Sequence, residues 1–355
     1  MVHNFNSGPS VLPQQVLQQA SEAIINFNNI GLSILEIGHR TNWFIDVMEE
    51  ARNSVKELMQ LTDEYEVLFL HGGATTQFMQ IPMNLLDTHE TAAYCDNGIW
   101  GNKAIKEAQL FGNVNVIASS KDKNHTYINQ NITVPESSKY LHITTNNTVE
   151  GTQWHSFPQT NVPIVADMSS DIFSRQLNFN QFSLIYAGAQ KNMGAAGVNL
   201  LVIKKSLLGT IKRPISPIMD YQKHIDANSL LNTPPVFAVY VAMLTLRWIK
   251  QEGGLTVMEK RAEEKANLLY STIDSLPLFE CYVEKESRSK MNAVFFIKDE
   301  ALQNEFLNEC KANNMVGVKG YRTVGGIRVS MYNALAMESV KAFCDLAKDF
   351  NNRKG

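Results

Sequence analysis

Seven apolar runs of strand length limit the folds open to this chain. They occupy residues 66–70, 91–95, 114–118, 140–144, 162–166, 183–187 and 198–203. Most are nearly continuous rather than alternating. A strand apolar on both sides of its pleat must be covered on both faces, as in a mainly parallel sheet between layers of helices. Helical spacing flanks the runs. Residues 12–27 read as a helix with Ser10 as N-cap and Pro13 in the first turn. Residues 43–61 carry Val47, Met48, Ala51, Val55, Leu58 and Met59 at helical spacing, and 76–86 follow suit. The expected fold class is α/β, a large domain with a mainly parallel, mixed, seven-stranded sheet covered by helices.

After Pro234 and Pro235 the pattern changes. Residues 236–251 and 255–273 read as long helices parted by Gly253-Gly254. The rest alternates strand, strand, helix, strand, helix over 279–283, 293–297, 302–313, 327–331 and 338–350. That order predicts a smaller α+β domain. The expected division is 12–252 for the large domain, with 1–11 and 253–355 in the small one.

A formal net charge of -3 over 355 residues supplies no global field for nucleic acid or an anionic membrane. An anionic substrate must therefore be held by a few placed Arg, Lys or backbone N–H groups. Cys95, Cys281, Cys310 and Cys344 form no CxxC pair, so zinc and thioredoxin-type chemistry are disfavoured and reduced thiols are expected. No metal is expected. The start of the chain has no basic stretch followed by an apolar run, and no apolar stretch is long enough for a bilayer. A cytoplasmic protein is expected.

Five features could carry chemistry. The run at 183–187 ends in Gly188-Ala-Gln-Lys191. A lysine leaving an apolar strand is desolvated, which lowers its pKa and frees the amine to attack carbonyls. Gly188 and Ala189 leave space for something flat. A lysine that snorkels to solvent fits the same pattern. The run at 162–166 delivers Asp167, and 24 residues separate it from Lys191 (191 − 167), enough for neighbouring strands to bring both to one crevice. A buried carboxylate needs a partner, which a protonated pyridine nitrogen, a backbone N–H or Arg175 could each supply. His71-Gly-Gly-Ala-Thr-Thr-Gln77 follows a strand and opens a helix, the arrangement of a phosphate cradle, though neither a Walker motif nor GxGxxG. Asn97-Gly-Ile-Trp100-Gly puts a Trp between glycines in a strand-end loop, where its ring could lie against a flat ligand or cap the core. His39-Arg40, Arg322 and Arg328 could bind carboxylate or phosphate, or be ordinary surface cations. Pyridoxal phosphate is a cofactor that needs the first four at once.

At these residues the chain resembles the phosphoserine aminotransferases, a family in the class V branch of the fold-type I pyridoxal-phosphate enzymes. The resemblance runs from Phe5-Asn-Ser-Gly-Pro-Ser to Tyr332-Asn-Ala. It includes Gly38-His-Arg, Asn147-Thr-Val-Glu-Gly, Ala166-Asp-Met-Ser-Ser, Leu231-Asn-Thr-Pro-Pro and Lys319-Gly-Tyr-Arg-Thr-Val-Gly-Gly-Ile-Arg-Val-Ser. Its most specific pieces are Tyr186-Ala-Gly-Ala-Gln-Lys-Asn and Asn232-Thr-Pro-Pro. The resemblance implies that Lys191 binds the cofactor as a Schiff base and that Asp167 pairs with the pyridine nitrogen. It implies that Trp100 stacks on the ring, that Thr148 bonds the phenolic oxygen, and that Ala74, Thr75 and Gln190 hold the phosphate. Asn232 and Thr233 are implied to reach that phosphate from the other subunit of a homodimer with shared active sites. Arg328 is implied to take the substrate α-carboxylate, and His39, Arg40 and Arg322 the distal anion. Thr75 and Tyr321 stand where some members carry Arg and His, so the distal site is less cationic here.

The implied reaction exchanges an amino group between glutamate and phosphohydroxypyruvate, as in serine biosynthesis. Another class V enzyme, such as an alanine–glyoxylate type aminotransferase or a cysteine desulfurase, is the nearest alternative. A desulfurase needs a mobile catalytic Cys, and none of the four sits in a Gly/Ser-rich loop. A dinucleotide-binding dehydrogenase lacks its GxGxxG here, and a non-catalytic phosphate-binding protein shares the fold.

Overall fold

A computed structural model describes residues 1–355. A short strand β1 (His3–Asn4) precedes helices α1 (Gln14–Asn26) and α2 (Asn42–Met59). Then come β2 (Tyr65–His71), α3 (Ala74–Leu85), β3 (Thr91–Asp96), α4 (Ile99–Ala108), β4 (Asn113–Ser119) and β5 (Leu141–Thr144). A hairpin of β6 (Asn146–Asn147) and β7 (Thr152–Gln153) leads to β8 (Ile164–Asp167), β9 (Leu184–Gly188) and β10 (Val198–Lys204). Helices α5 (Tyr221–Asp226), α6 (Val236–Gln251) and α7 (Gly254–Ser275) follow. The remainder is β11 (Phe279–Cys281), β12 (Asn292–Ile297), α8 (Glu300–Ala312), β13 (Met315–Val316), β14 (Ile327–Ser330) and α9 (Met337–Lys354).

All seven apolar runs enter one sheet, in the order β2-β10-β9-β8-β5-β3-β4. Strand β10 runs antiparallel to β2 and β9, and every other pair is parallel. This is the expected mixed, mainly parallel α/β sheet. Its two faces have separate cores. Tyr65, Val67 and Phe69 of β2 join the core that contains residues of α1, α2 and α6. Leu68 and Leu70 point the other way, into the core that contains residues of α3, α4 and α5. Burial on both faces is why these strands read as continuous apolar runs. Each fully buried Leu or Phe adds roughly 1.5–3 kcal/mol. No helix is long and apolar enough to cross a membrane.

The parallel strands end at one edge, which therefore gathers His71, Asp96, Thr144, Asp167 and Gly188. Ligands of open α/β sheets bind at that edge. A third core surrounds the three-stranded sheet β11-β12-β14 and takes in Phe5 from the start of the chain. Helix α7 serves two of the three cores. Its Leu255 and Met258 belong to the α1/α2/α6 core, and its Ala266, Leu269 and Ile273 to the one around the small sheet. Gly253 and Gly254 have φ +105 and +73, the left-handed region that glycine enters without strain, and they turn the chain between α6 and α7.

Three local expectations are corrected. Ser10 does not cap the first helix; the residue at its N-cap is Pro13. Pro restricts the residue before it to extended backbone, so the chain upstream runs away from the helix. Ser10 instead donates through its hydroxyl to the carbonyl of Lys191, and its amide donates to Gln190 O at 3.0 Å. Trp100 lies in no loop. Gly98 is the N-cap of α4, and Gly101, Ala104, Ile105 and Ala108 form its buried face, so the Trp occupies the second position of a helix. The helix after the Gly72-Gly73 turn begins at Ala74, two residues earlier than its apolar period indicates.

Candidate active site

One cavity at the carboxyl edge of the sheet is bordered by Gly73, Ala74, Thr75, Phe78, Trp100, Thr144, Asn146, Thr148, Asp167, Ser169, Ser170, Gln190 and Lys191. Of the residues singled out in the sequence, it brings together Lys191, Asp167, Trp100, Thr148, Gln190, Ala74 and Thr75. Asn232, Thr233, His39, Arg40, Arg322 and Arg328 do not border it. The amide nitrogen of Asn232 lies 3.2 Å from the His71 ring, beside the Gly72-Gly73 turn. Arg328 is buried on β14 near enough to act on Lys191 by its charge. Arg40 and Arg322 are exposed, while His39 is half-buried with a titration lowered by burial and then by Arg40.

Lys191 follows β9 after a tight turn. Its Nζ donates to Thr148 Oγ1 at 2.7 Å. Burial pushes the Lys191 amine down to about 8, against the pull of Asp167 and with the help of Arg328. A neutral amine is therefore accessible near physiological pH. The segment before α1 crosses the lysine. A Cβ on Gly8, whose φ is +144, would sit 3.3 Å from Lys191 Cγ. Gly8→Ala is therefore expected to cost about 1–3 kcal/mol, from left-handed strain plus that contact. Denaturant unfolding measures it, and a loss under about 0.5 kcal/mol would mean that the segment is free to move aside.

Asp167 ends β8, and its Oδ1 accepts the Ser169 amide at 2.9 Å. Burial raises its pKa, opposed by hydrogen bonding from Ser169 and by the charge of Lys191. Arg175 is not its partner: it donates to Asp171 at 3.1 Å and to Trp154 O at 2.7 Å. Of the partners open to Asp167 in the sequence, the structure supplies a backbone N–H and leaves the carboxyl facing the cavity. Gly188 and Ala189 do not provide the flat space expected of them. A Cβ at Gly188 would lie 2.7 Å from Gln190 Oε1, and Ala189 packs into the α1/α2/α6 core.

Several bordering residues carry no obvious sequence signal. Ser169 and Ser170 lie within Ala166-Asp-Met-Ser-Ser, and only the fold shows that they brace Asp167 and Asn146. Thr144 comes from the end of β5, and its hydroxyl is buried without a partner. Glu150, which does not border this cavity, is also buried. Its Oε1 accepts the Ile99 amide at 2.8 Å, its Oε2 has no partner, and burial pushes it up to about 7, against the Ile99 hydrogen bond.

The donors present fit pyridoxal phosphate. Gly73 is the N-cap of helix α3 and gives it no side-chain cap, which leaves first-turn amides for an anion. The partnerless Thr144 hydroxyl, the Trp100 wall, the desolvated amine and the braced carboxyl surround the remaining space.

Such a fold and site define a pyridoxal-phosphate aminotransferase, and the description "Aminotransferase class-V" matches residues 2–343; the chain belongs to that family. Among its relatives, the phosphoserine aminotransferase of Flavobacterium johnsoniae is 50% identical over 352 residues, 99% of each chain. A phosphoserine aminotransferase structure concerned with radiation damage of the Schiff base superposes with TM-score 0.97 at 42% identity, covering 99% of each chain. The PLP-bound phosphoserine aminotransferase of Trichomonas vaginalis gives TM-score 0.93 at 33% identity, over 98% of this chain and 100% of that one.

Proposed function

We propose that this protein transfers an amino group between glutamate and 3-phosphohydroxypyruvate, giving O-phosphoserine and 2-oxoglutarate, as in serine biosynthesis. The observation that carries the chemistry is a single cavity bordered by the Lys191 amine, the Asp167 carboxyl, the Trp100 ring and the start of α3. The choice of substrates is supported by full-length likeness to enzymes named for that reaction.

Pyridoxal phosphate, when bound, supplies an aldehyde that carries the amino group and a ring that accepts the electron pair freed at the substrate Cα. The protein's residues do the rest. Lys191 Nζ takes the proton from the substrate Cα and would pass it to the carbon of the cofactor's aldehyde group, a task suited to an amine near neutrality. Asp167 holds a proton at the ring nitrogen. Thr148 orients Lys191 and reaches the phenolic oxygen. Trp100 covers one ring face and excludes water. Ala74, Thr75 and Gln190 hold the phosphate. Arg328 takes the α-carboxylate, and His39, Arg40 and Arg322 take the distal anion. An arginine fork matches carboxylate and phosphate alike, so one pocket serves both substrates. The two half-reactions share this site, so ping-pong kinetics are expected.

We propose a homodimer in which Asn232 and Thr233 complete the partner's phosphate site. In support, Leu32, Leu35 and Trp43, close in sequence to His39-Arg40, are 39%, 62% and 43% exposed, an apolar stretch suited to cover by a second copy. The two-domain division at residue 252 and a cytoplasmic location belong to the same reading; all four cysteines are free thiols. Burial pushes Cys95, Cys281 and Cys310 up to about 12 and raises Cys344, so none is poised as the thiolate of a desulfurase.

Steady-state assays with glutamate and alternative acceptors test the proposal. Phosphohydroxypyruvate is expected to exceed glyoxylate in kcat/KM by at least about 100-fold, the scale on which an unpaired ionic site rejects a substrate. Preference for glyoxylate would transfer the protein to the alanine–glyoxylate type.

A further inference from the structure

Two walls of the cavity come from different parts of the chain. Trp100 rides on the first turn of α4, while Thr148 and Asp167 belong to the β5–β8 region. Helix α4 has glycine at its N-cap and thus no side-chain cap of its own. Its first amide, Ile99 N–H, donates 2.8 Å to Glu150 Oε1, and Glu150 is only 3% exposed. The loop before the helix leaves no slack. A Cβ on Gly98 would fall 2.6 Å from Glu150 Oε2 and 2.9 Å from Asn147 Oδ1. The turn that bears Glu150 is itself fixed. Gly151 N–H donates to Asn147 O at 2.8 Å, Asn146 donates to Ser170 Oγ and Asn292 Oδ1 at 2.8 Å each, and Thr145 Oγ1 donates to Asp167 O at 3.0 Å. Thr148, two residues before Glu150, holds Lys191.

We propose that Glu150 is a positioning residue for Trp100. Its carboxyl ties the first amide of α4 to the turn that holds Lys191, and so sets the height of the indole wall over the Lys191–Asp167 cavity. This assignment rests on reading the cavity as the pyridoxal-phosphate site. An acceptor aimed at a helix's first amide supplies a cap that Gly98 lacks, an interaction whose loss costs helices measurable stability. Here that stability is spent on one ring. Glutamine keeps the acceptor geometry; alanine removes it.

The test compares Glu150→Gln, Glu150→Ala and Gly98→Ala, each titrated with pyridoxal phosphate and read by the circular dichroism of the bound cofactor's visible band. Gly98 has φ 162, extended backbone that alanine adopts freely, so Gly98→Ala acts through its push on Glu150 and Asn147. Glu150→Ala is expected to weaken cofactor binding by about 10-fold and to shrink the band, and Gly98→Ala to do the same, while Glu150→Gln stays within about twofold of wild type. A merely structural role would lower the melting temperature and leave the band of the loaded protein unchanged. If Glu150→Ala does not fold, Gly98→Ala decides. A wild-type band and affinity in both Glu150→Ala and Gly98→Ala would overturn the assignment, as would a Glu150→Gln protein as impaired as Glu150→Ala. Failure of the wild-type protein to bind pyridoxal phosphate would instead overturn the reading of the cavity.

Discussion

Lys191→Ala should lose at least about 10^4-fold in turnover and all of the visible absorbance that wild-type protein gains with pyridoxal phosphate. In the proposed role the side chain combines two duties at one atom, attachment of the cofactor and proton transfer at Cα, so no neighbour can substitute for part of it. Arginine is no replacement, because its guanidinium stays protonated at working pH. The fold should survive. Burial holds the Lys191 amine at about 8, below its usual 10.5. A lysine with a depressed folded pKa opposes folding most below about pH 8, and the penalty fades as pH rises toward the unfolded value. Below pH 8 the alanine protein should therefore melt no lower than wild type in the absence of cofactor. Residual turnover above a few per cent, or an unchanged visible band, would remove Lys191 from its role.

Asp167→Asn should lower kcat by roughly 10^2- to 10^3-fold with KM for glutamate changed by no more than about threefold. Asparagine is nearly isosteric and its oxygen can still accept the Ser169 amide. What it cannot do is carry negative charge toward a ring nitrogen. In the proposed role the lost interaction would strengthen as electrons move into the ring, so it would belong to the transition state more than to substrate binding. The wild-type carboxyl is raised by burial and restrained by Ser169 and Lys191, which leaves it ready to ionise beside a cation. A variant that altered KM alone would contradict this electronic role.

The sheet was legible because burial on both faces leaves a mark that needs no knowledge of the tertiary fold. Strands β2, β3, β4, β5, β8, β9 and β10 all lie within one or two residues of the apolar runs. Lys191, Asp167 and the Gly72-Gly73 turn stood out because each follows such a run. Trp100 is legible in the sequence but its helix is not, since Gly98 and Gly101 flank it and glycine marks a loop as readily as a helix start. Ser10 has the chemistry of a cap, and only the path of the N-terminal segment turns it toward Lys191 instead. Glu150 could not be told from a surface acid; its burial depends on the packing of α4 against a turn some 50 residues away in sequence. Asn232 and Thr233 stay outside the cavity of their own chain, and the role proposed for them lies in a partner's site.

The protein holds a second depressed lysine that sharpens the decisive test. Lys265, on α7, is 2% exposed, donates to Tyr332 O at 2.6 Å and Leu335 O at 3.2 Å, and is pushed down to about 7 by burial and then Arg261. No carboxylate offsets that shift, as Asp167 does for Lys191, and Lys265 does not border the cavity. Desolvation alone would favour it, whereas cavity geometry favours Lys191. Incubation with pyridoxal phosphate, reduction with borohydride and peptide mass spectrometry then locate the modified amine. Modification at Lys191 is the predicted result. A label on Lys265 or another lysine, with Lys191 left unmodified, would contradict the account.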